Sequence, residues 1–246
     1  MNLFLWILLF SVLGSLGAIL LGSILLLFKD NTQKKILPYL VSFTTGTLLA
    51  SALLGLIPHA LDHVSAFNVL GTVLLGILGF FILEKFLIWR HCHDDHCNTA
   101  APMILVGDAF HNFVDGVVIA ASFFVSIPVG IAVGVSIIAH EIAQETGDFT
   151  ILLHSGYTRA KAFMLNVISG SSTLLGAIIA YFALEKIHEA VPYIMAISAA
   201  SFLYIALVDL SPELHHEKNP KQSFYQFLLM LLGIGVITFL LQFHTH

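Results

Sequence analysis

The strongest constraint on this chain is the recurrence of uncharged stretches long enough to cross a bilayer. A spanning helix needs about 20 apolar residues, because the hydrocarbon core is about 30 Å thick and a helix rises about 1.5 Å per residue. Such stretches cover residues 3–28, 36–58, 64–83, 162–184, 190–208 and 223–243. A longer apolar stretch between Pro102 and Leu153 is interrupted by Ser126-Ile127-Pro128. Proline disfavours helix in the residue before it, so a tight turn is predicted there, dividing the stretch into helices over 102–125 and 128–153. Eight spans result. The predicted fold class is an all-α, polytopic membrane protein, with residues 1–246 forming one transmembrane domain. The first stretch lacks a positively charged leader and is too long for a signal-peptide core, so it reads as a retained helix.

Composition narrows the function classes. Charged residues make up 10% of the chain and hydrophobic residues 58%, whereas soluble domains carry about 25% charge. A net charge of −5 without a basic run leaves nucleic acid nothing to bind. Two cysteines cannot staple a scaffold of this size. The basic residues are informative by position. With eight spans, loops alternate sides, and Lys29, Lys34, Lys35, Lys85, Arg90, Arg159, Lys161, Lys218 and Lys221 all fall on one side. Only Lys186 falls on the other. Cytoplasmic loops collect Lys and Arg, so both termini are predicted to be extracytoplasmic. The compact chain and short loops suggest a bacterial cytoplasmic membrane.

Two spans carry polar groups that a bilayer centre disfavours. The fourth contains Asp108, His111, Asn112 and Asp115, at i, i+3, i+4 and i+7 on one helical face. On the fifth, His140, Gln144 and Asp148 share a stripe, with Glu141 and Glu145 beside it. A charge at mid-membrane costs about 2.5–3.5 kcal/mol on insertion scales, so such groups face a polar interior. The tight turn makes the two helices antiparallel neighbours, and their faces can converge. Imidazole nitrogen with carboxylate and amide oxygen suits a borderline divalent cation such as Zn²⁺, Fe²⁺ or Mn²⁺. His140-Glu141 opens a zincin-like pattern, but the second histidine of HExxH is replaced by Gln144. An intramembrane zinc-dependent hydrolase is therefore the weaker alternative, and a sensor or structural bundle without flux is a third.

These motifs resemble the ZIP (Zrt/Irt-like) family of divalent metal transporters. The resemblance rests on His111-Asn112-Phe113-x-Asp115-Gly116 and His140-Glu141-x-x-Gln144-Glu145-x-Gly147-Asp148. It extends to Leu53-Leu54-Gly55-Leu56-Ile57-Pro58-His59 and to residues 202–209, ending at Asp209. It implies eight helices with outer termini and a non-enzymatic carrier of divalent cations, zinc first, with Fe²⁺, Mn²⁺ or Cd²⁺ as alternatives. It also implies a two-position metal site, with His111 and Asp115 facing one ion and Asn112, His140 and Glu141 the other. Gln144 would lie between them, and Glu145 and Asp148 would line the path. Relatives suggest a homodimer. Where relatives commonly carry proline within both motifs, this chain has Val114 and Ala143.

Histidine, at 13 residues, outnumbers Lys and Arg together. His91, His93 and His96, with Cys92 and Cys97, form a His/Cys-rich loop at about 90–101, predicted to be cytoplasmic and reducing, where transient metal contact is expected in place of a disulfide. His59, Asp62 and His63 end the second span on the outer side, as a feed into the metal path or as ordinary helix-end polars. Asn166, Ser169 and Thr173 share a face of the sixth span, which close helix packing explains at least as well as metal contact.

Overall fold

The computed structural model describes residues 2–28, 30–91, 100–215 and 219–242, and every regular element among them is helical. Among the described residues, eight helices are long and apolar enough to span a membrane: α1 Leu3–Leu25, α2 Lys35–Leu61, α3 Ala66–Leu83, α4 Leu105–Val125, α5 Ile127–Leu153, α6 Arg159–Leu184, α7 His188–Leu210 and α8 Pro220–Gln242. The predicted spans match these within a few residues. The His/Cys-rich loop, with His93 and His96, lies outside the described residues; His91 ends the helix that continues from α3.

Local chemistry accounts for the connections nearest the polar faces. The α4–α5 turn is a single residue, Ser126, whose side chain caps α5 by accepting from the Val129 N–H at 3.3 Å. Pro128 sits in the first turn, where its missing N–H costs nothing. At the other end of α5, Gly156 takes φ +84°. The Gly156 and Tyr157 N–H groups then close on the Leu153 and Leu152 carbonyls, a glycine-dependent helix stop. Thr158 caps α6 by accepting from the Lys161 N–H.

The bundle is organised about α5, which packs on α1, α2, α4 and α8. The closest pairings are α4 with α6 and α2 with α8. At the α4–α6 crossing the approach is backbone to backbone. A Cβ at Gly116 would overlap the Thr173 carbonyl, and one at Gly176 would overlap the Phe113 carbonyl. Gly46 and Gly233 make the same reciprocal contact between α2 and α8. Small residues drive association in lipid, where no hydrophobic force pulls helices together and van der Waals contact must do so. α3 and α8 are the least buried spans, and Leu74, Leu75, Phe81 and Ile82 of α3 are exposed, as a lipid-facing helix requires.

Three spans depart from α geometry, α1 over Leu13–Gly17 among them, and the other two bear on the polar helices. Residues Ser51–Leu56 of α2 and Ile205–Leu210 of α7 are wider, π-helical turns, a feature that recurs near functional sites. Both fall in the second- and seventh-span segments singled out in the sequence. Towards the α4–α5 turn, Trp6, Phe10, Phe123, Ile119 and Ile137 form a dry layer, with the Phe10 and Phe123 rings 5.4 Å apart.

Gly116→Val and Gly176→Val should each destabilise the α4–α6 pair by about 1–3 kcal/mol, the usual overpacking range. Thermal unfolding in detergent checks this, with Gly71→Val, which meets open space, expected to unfold like the parent.

Candidate metal centre

Near the middle of α4 and α5, the predicted i, i+4 pair His111 and Asp115 meets His140 and Glu141. One donor atom from each lies within 4.8 Å of the others. His140 Nε2 is 3.0 Å from Asp115 Oδ2, 3.4 Å from Glu141 Oε1 and 3.2 Å from His111 Nε2. His111 Nε2 is 3.5 Å from Glu141 Oε1 and 3.9 Å from Asp115 Oδ2. Asp115, His140 and Glu141 are buried, at 1%, 2% and 0% exposure. His111 is half-buried and reaches a cavity.

The tautomer that a neutral His140 adopts follows from its other nitrogen. Nδ1–H donates to the Ser136 carbonyl one turn back, at 3.1 Å. In the neutral imidazole this leaves the Nε2 lone pair directed at the cluster, the arrangement that metal-binding histidines use. Apart from the two histidine Nε2 atoms, no hydrogen-bond donor faces the Asp115 or Glu141 carboxylate among the described residues. Electron-rich atoms thus converge in a low-dielectric setting, and a shared cation is the group that would stabilise all of them together. The Phe202 ring of α7 stacks edge-on to His140 at 6.0 Å and closes one wall.

The remaining predicted residues are arranged differently. Asn112 and Gln144 both donate to Asp108 Oδ1, at 2.9 and 3.0 Å. Ser169 of α6 donates to Asp108 Oδ2, and Thr173 donates to Asn112 Oδ1 at 2.8 Å. The polar face of α6 is therefore used to brace α4, as close packing predicts. Glu145 is buried between α1 and α6, beside Gly22, Gly170 and Asn166. Asp148 lies apart from the four, with Asp108, His111, Gln144 and Asp209 on the wall of a cavity of about 270 Å³. The cavity lies on the side of the α3–α4 connection; the dry aromatic layer lies on the opposite side of the four residues. His59 is remote from them, and its Nδ1–H donates to the Gly55 carbonyl at 2.7 Å. With Asp62 and His63 it lines a second cavity, of about 750 Å³, near the α4–α5 turn.

Three contributors were not read from the sequence. His188 and Glu189, which open α7, complete the wall opposite His59 and His63. Their signal was topological: with eight spans, the α6–α7 and α2–α3 connections share a side. The Ser136 carbonyl carries no sequence signal, since any residue supplies one.

A profile described as "ZIP Zinc transporter" matches residues 89–241, well over half of the chain and both polar helices. The chain belongs to the ZIP family. Among its relatives, zinc transporter ZIP13 of Pongo abelii is 32% identical over 216 residues, covering 82% of this chain and 66% of that protein. Zinc transporter ZIP10 of Danio rerio is 34% identical over 155 residues, covering 60% of this chain and 18% of its own length. Zinc transporter foi of Drosophila melanogaster is 34% identical over 148 residues, covering 60% and 21%. The chain thus spans less than two thirds of the length of these relatives. Family membership and the eight apolar helices make it a multi-pass membrane protein.

Thr173→Val keeps the shape of the α6 contact but leaves the buried Asn112 oxygen without its donor. A loss of about 1–3 kcal/mol is expected, measured by thermal unfolding in detergent against the parent protein.

Proposed function

We propose that this ZIP family protein carries divalent metal cations, zinc first, across the membrane, through a mid-membrane site formed by His111, Asp115, His140 and Glu141. The observation that carries this is the spacing of the four donors. Zinc bonds to imidazole nitrogen and carboxylate oxygen are about 2.0–2.2 Å long, so the edge of a zinc tetrahedron measures about 3.3–3.6 Å. The donor pairs above stand 3.0–3.9 Å apart. That five of the six pairs among two histidines and two carboxylates stand near this length at the centre of two spans, with all four donors within 4.8 Å of one another, supports a cation as their common partner. The names of the relatives, all zinc transporters, support zinc as the cargo. The same donors accommodate Fe²⁺, Mn²⁺ and Cd²⁺.

In this reading the four residues replace the water shell of the ion at mid-membrane, and binding is strong enough to admit it yet weak enough to release it. His111 hands the ion to the cavity wall, where Asp148 and Asp209 continue the path. The His59, Asp62, His63, His188 and Glu189 vestibule lies on the entry side. Asn112, Gln144 and Glu145 are supporting groups whose direct contact with the ion is not needed to complete a tetrahedral shell. A hydrolytic reading is disfavoured, because four protein donors leave such a shell no place for an activated water.

The charge partition across loops supports outer termini and a cytoplasmic side for residues 90–101; that His/Cys-rich loop as a hand-off for metal and residues 1–246 as one transporter domain belong to the same reading. The cell's cytoplasmic membrane and a homodimeric state complete the proposal. The direction of transport is then into the cytoplasm.

Asp115→Ala and Glu141→Ala should insert as the parent does but lose zinc uptake into reconstituted vesicles; wild-type uptake by either would refute the site. Competition with Fe²⁺, Mn²⁺ and Cd²⁺ in the same vesicles orders the metals. A reporter fused after His246 should be active only outside the cytoplasm, and cytoplasmic activity would overturn the orientation.

A further inference from the structure

Asp108 stands out among the buried acids because its carboxylate is fully used. At 4% exposure, it takes the Asn112 and Gln144 amides on one oxygen and the Ser169 hydroxyl on the other. Asn112 Nδ2 is also 3.2 Å from the Asp108 carbonyl. Three helices, α4, α5 and α6, are thereby joined at one side chain. The Asn112 oxygen is in turn engaged by Thr173, at 2.8 Å. Neither amide hydrogen-bonds any of His111, Asp115, His140 or Glu141.

A second cation beside the first would need donors. In two-metal sites the ions sit about 3.5–4 Å apart; Asp115 Oδ1 and Glu141 Oε2, unpaired among the described residues, could bridge to a second ion, but two oxygens do not complete its shell. The first four donors surround one point at single-ion spacing. The neutral groups next in line on the same two helices, Asn112 and Gln144, are held by Asp108 and Thr173. We infer that the central site takes a single cation, and that Asp108 acts as a clamp that withholds Asn112 and Gln144 from a second one. The inference rests on the four-residue cation site proposed above. It departs from the two-position site that family resemblance implies, and it makes Asp108 a positioning residue rather than a metal contact.

The test counts zinc bound by the full-length protein in detergent, by equilibrium dialysis followed by elemental analysis. Subtracting the count for the His111→Ala/Glu141→Ala double variant removes contributions from loop and surface histidines. The expected difference is one zinc per chain. A difference of two overturns the single-cation inference, whereas no difference overturns the central site itself, which separates the two failures. Asp108→Ala should raise the difference to two, and Asp108→Ala/Gln144→Leu should return it to one. A count that stays at one in Asp108→Ala overturns the clamp. Should Asp108→Ala fail to fold, X-ray absorption on the unmodified protein with two equivalents of zinc decides the count. Absence of a zinc–zinc scattering path at about 3.5–4 Å is expected, and its presence overturns the inference.

Discussion

Placing two imidazole nitrogens and two carboxylates within a few ångströms of one another, between apolar helices, is the constraint on which the rest of this structure depends. Without water to screen them, such groups raise the energy of the bundle unless a positive charge joins them. For the proposed cation site to work, the donors have to be held close together while each is kept from relaxing towards a local partner. The protein does so by occupying the alternatives. The second nitrogen of His140 is bound to the Ser136 carbonyl. The amides that could have reached the carboxylates are bound to Asp108.

The support comes from α6, which contributes no atom to the four donors. Its approach to α4 through Gly116 and Gly176 brings Ser169, Ser172 and Thr173 to the back of the signature helix. Ser172 reaches the Ala109 carbonyl at 2.6 Å, so α4 is held along the two turns that carry Asp108, His111 and Asn112. Close backbone contact and a polar ladder reinforce each other here, since short hydroxyl side chains bridge only helices that nearly touch. The asymmetry of the bundle follows as well. Aromatic packing seals one side of the donors, while the other opens into a cavity that reaches His111 and carries Asp108, Asp148 and Asp209 on a largely apolar wall.

Much of this was legible in the sequence, for identifiable reasons. Span lengths follow from bilayer thickness, the α4–α5 break from Pro128, and the shared face of Asp108, His111, Asn112 and Asp115 from helical periodicity. That the polar faces of α4 and α5 would converge follows from two antiparallel helices joined by one residue; the grouping of His111 and Asp115 with His140 and Glu141, which family resemblance divides between two ions, came only from the structure. The division of labour within that face was not legible. Asn112 and His111 are adjacent on the same stripe, yet one turns to Asp108 and Thr173 and the other to His140. The choice depends on hydroxyls of a helix more than 50 residues further along the chain. The widened turns at Ser51–Leu56 and Ile205–Leu210 are likewise products of packing.

The sequence by itself determined that this chain inserts as eight helices, which two of them carry the chemistry, and which residue types are offered to a cation. Those are local matters, set by length, periodicity and the cost of burying charge. Only the tertiary structure decided which offered groups converge and which are engaged elsewhere. That decision belongs to side-chain rotamers, and a rotamer is chosen by the neighbour it meets across a helix crossing, here α6 against α4.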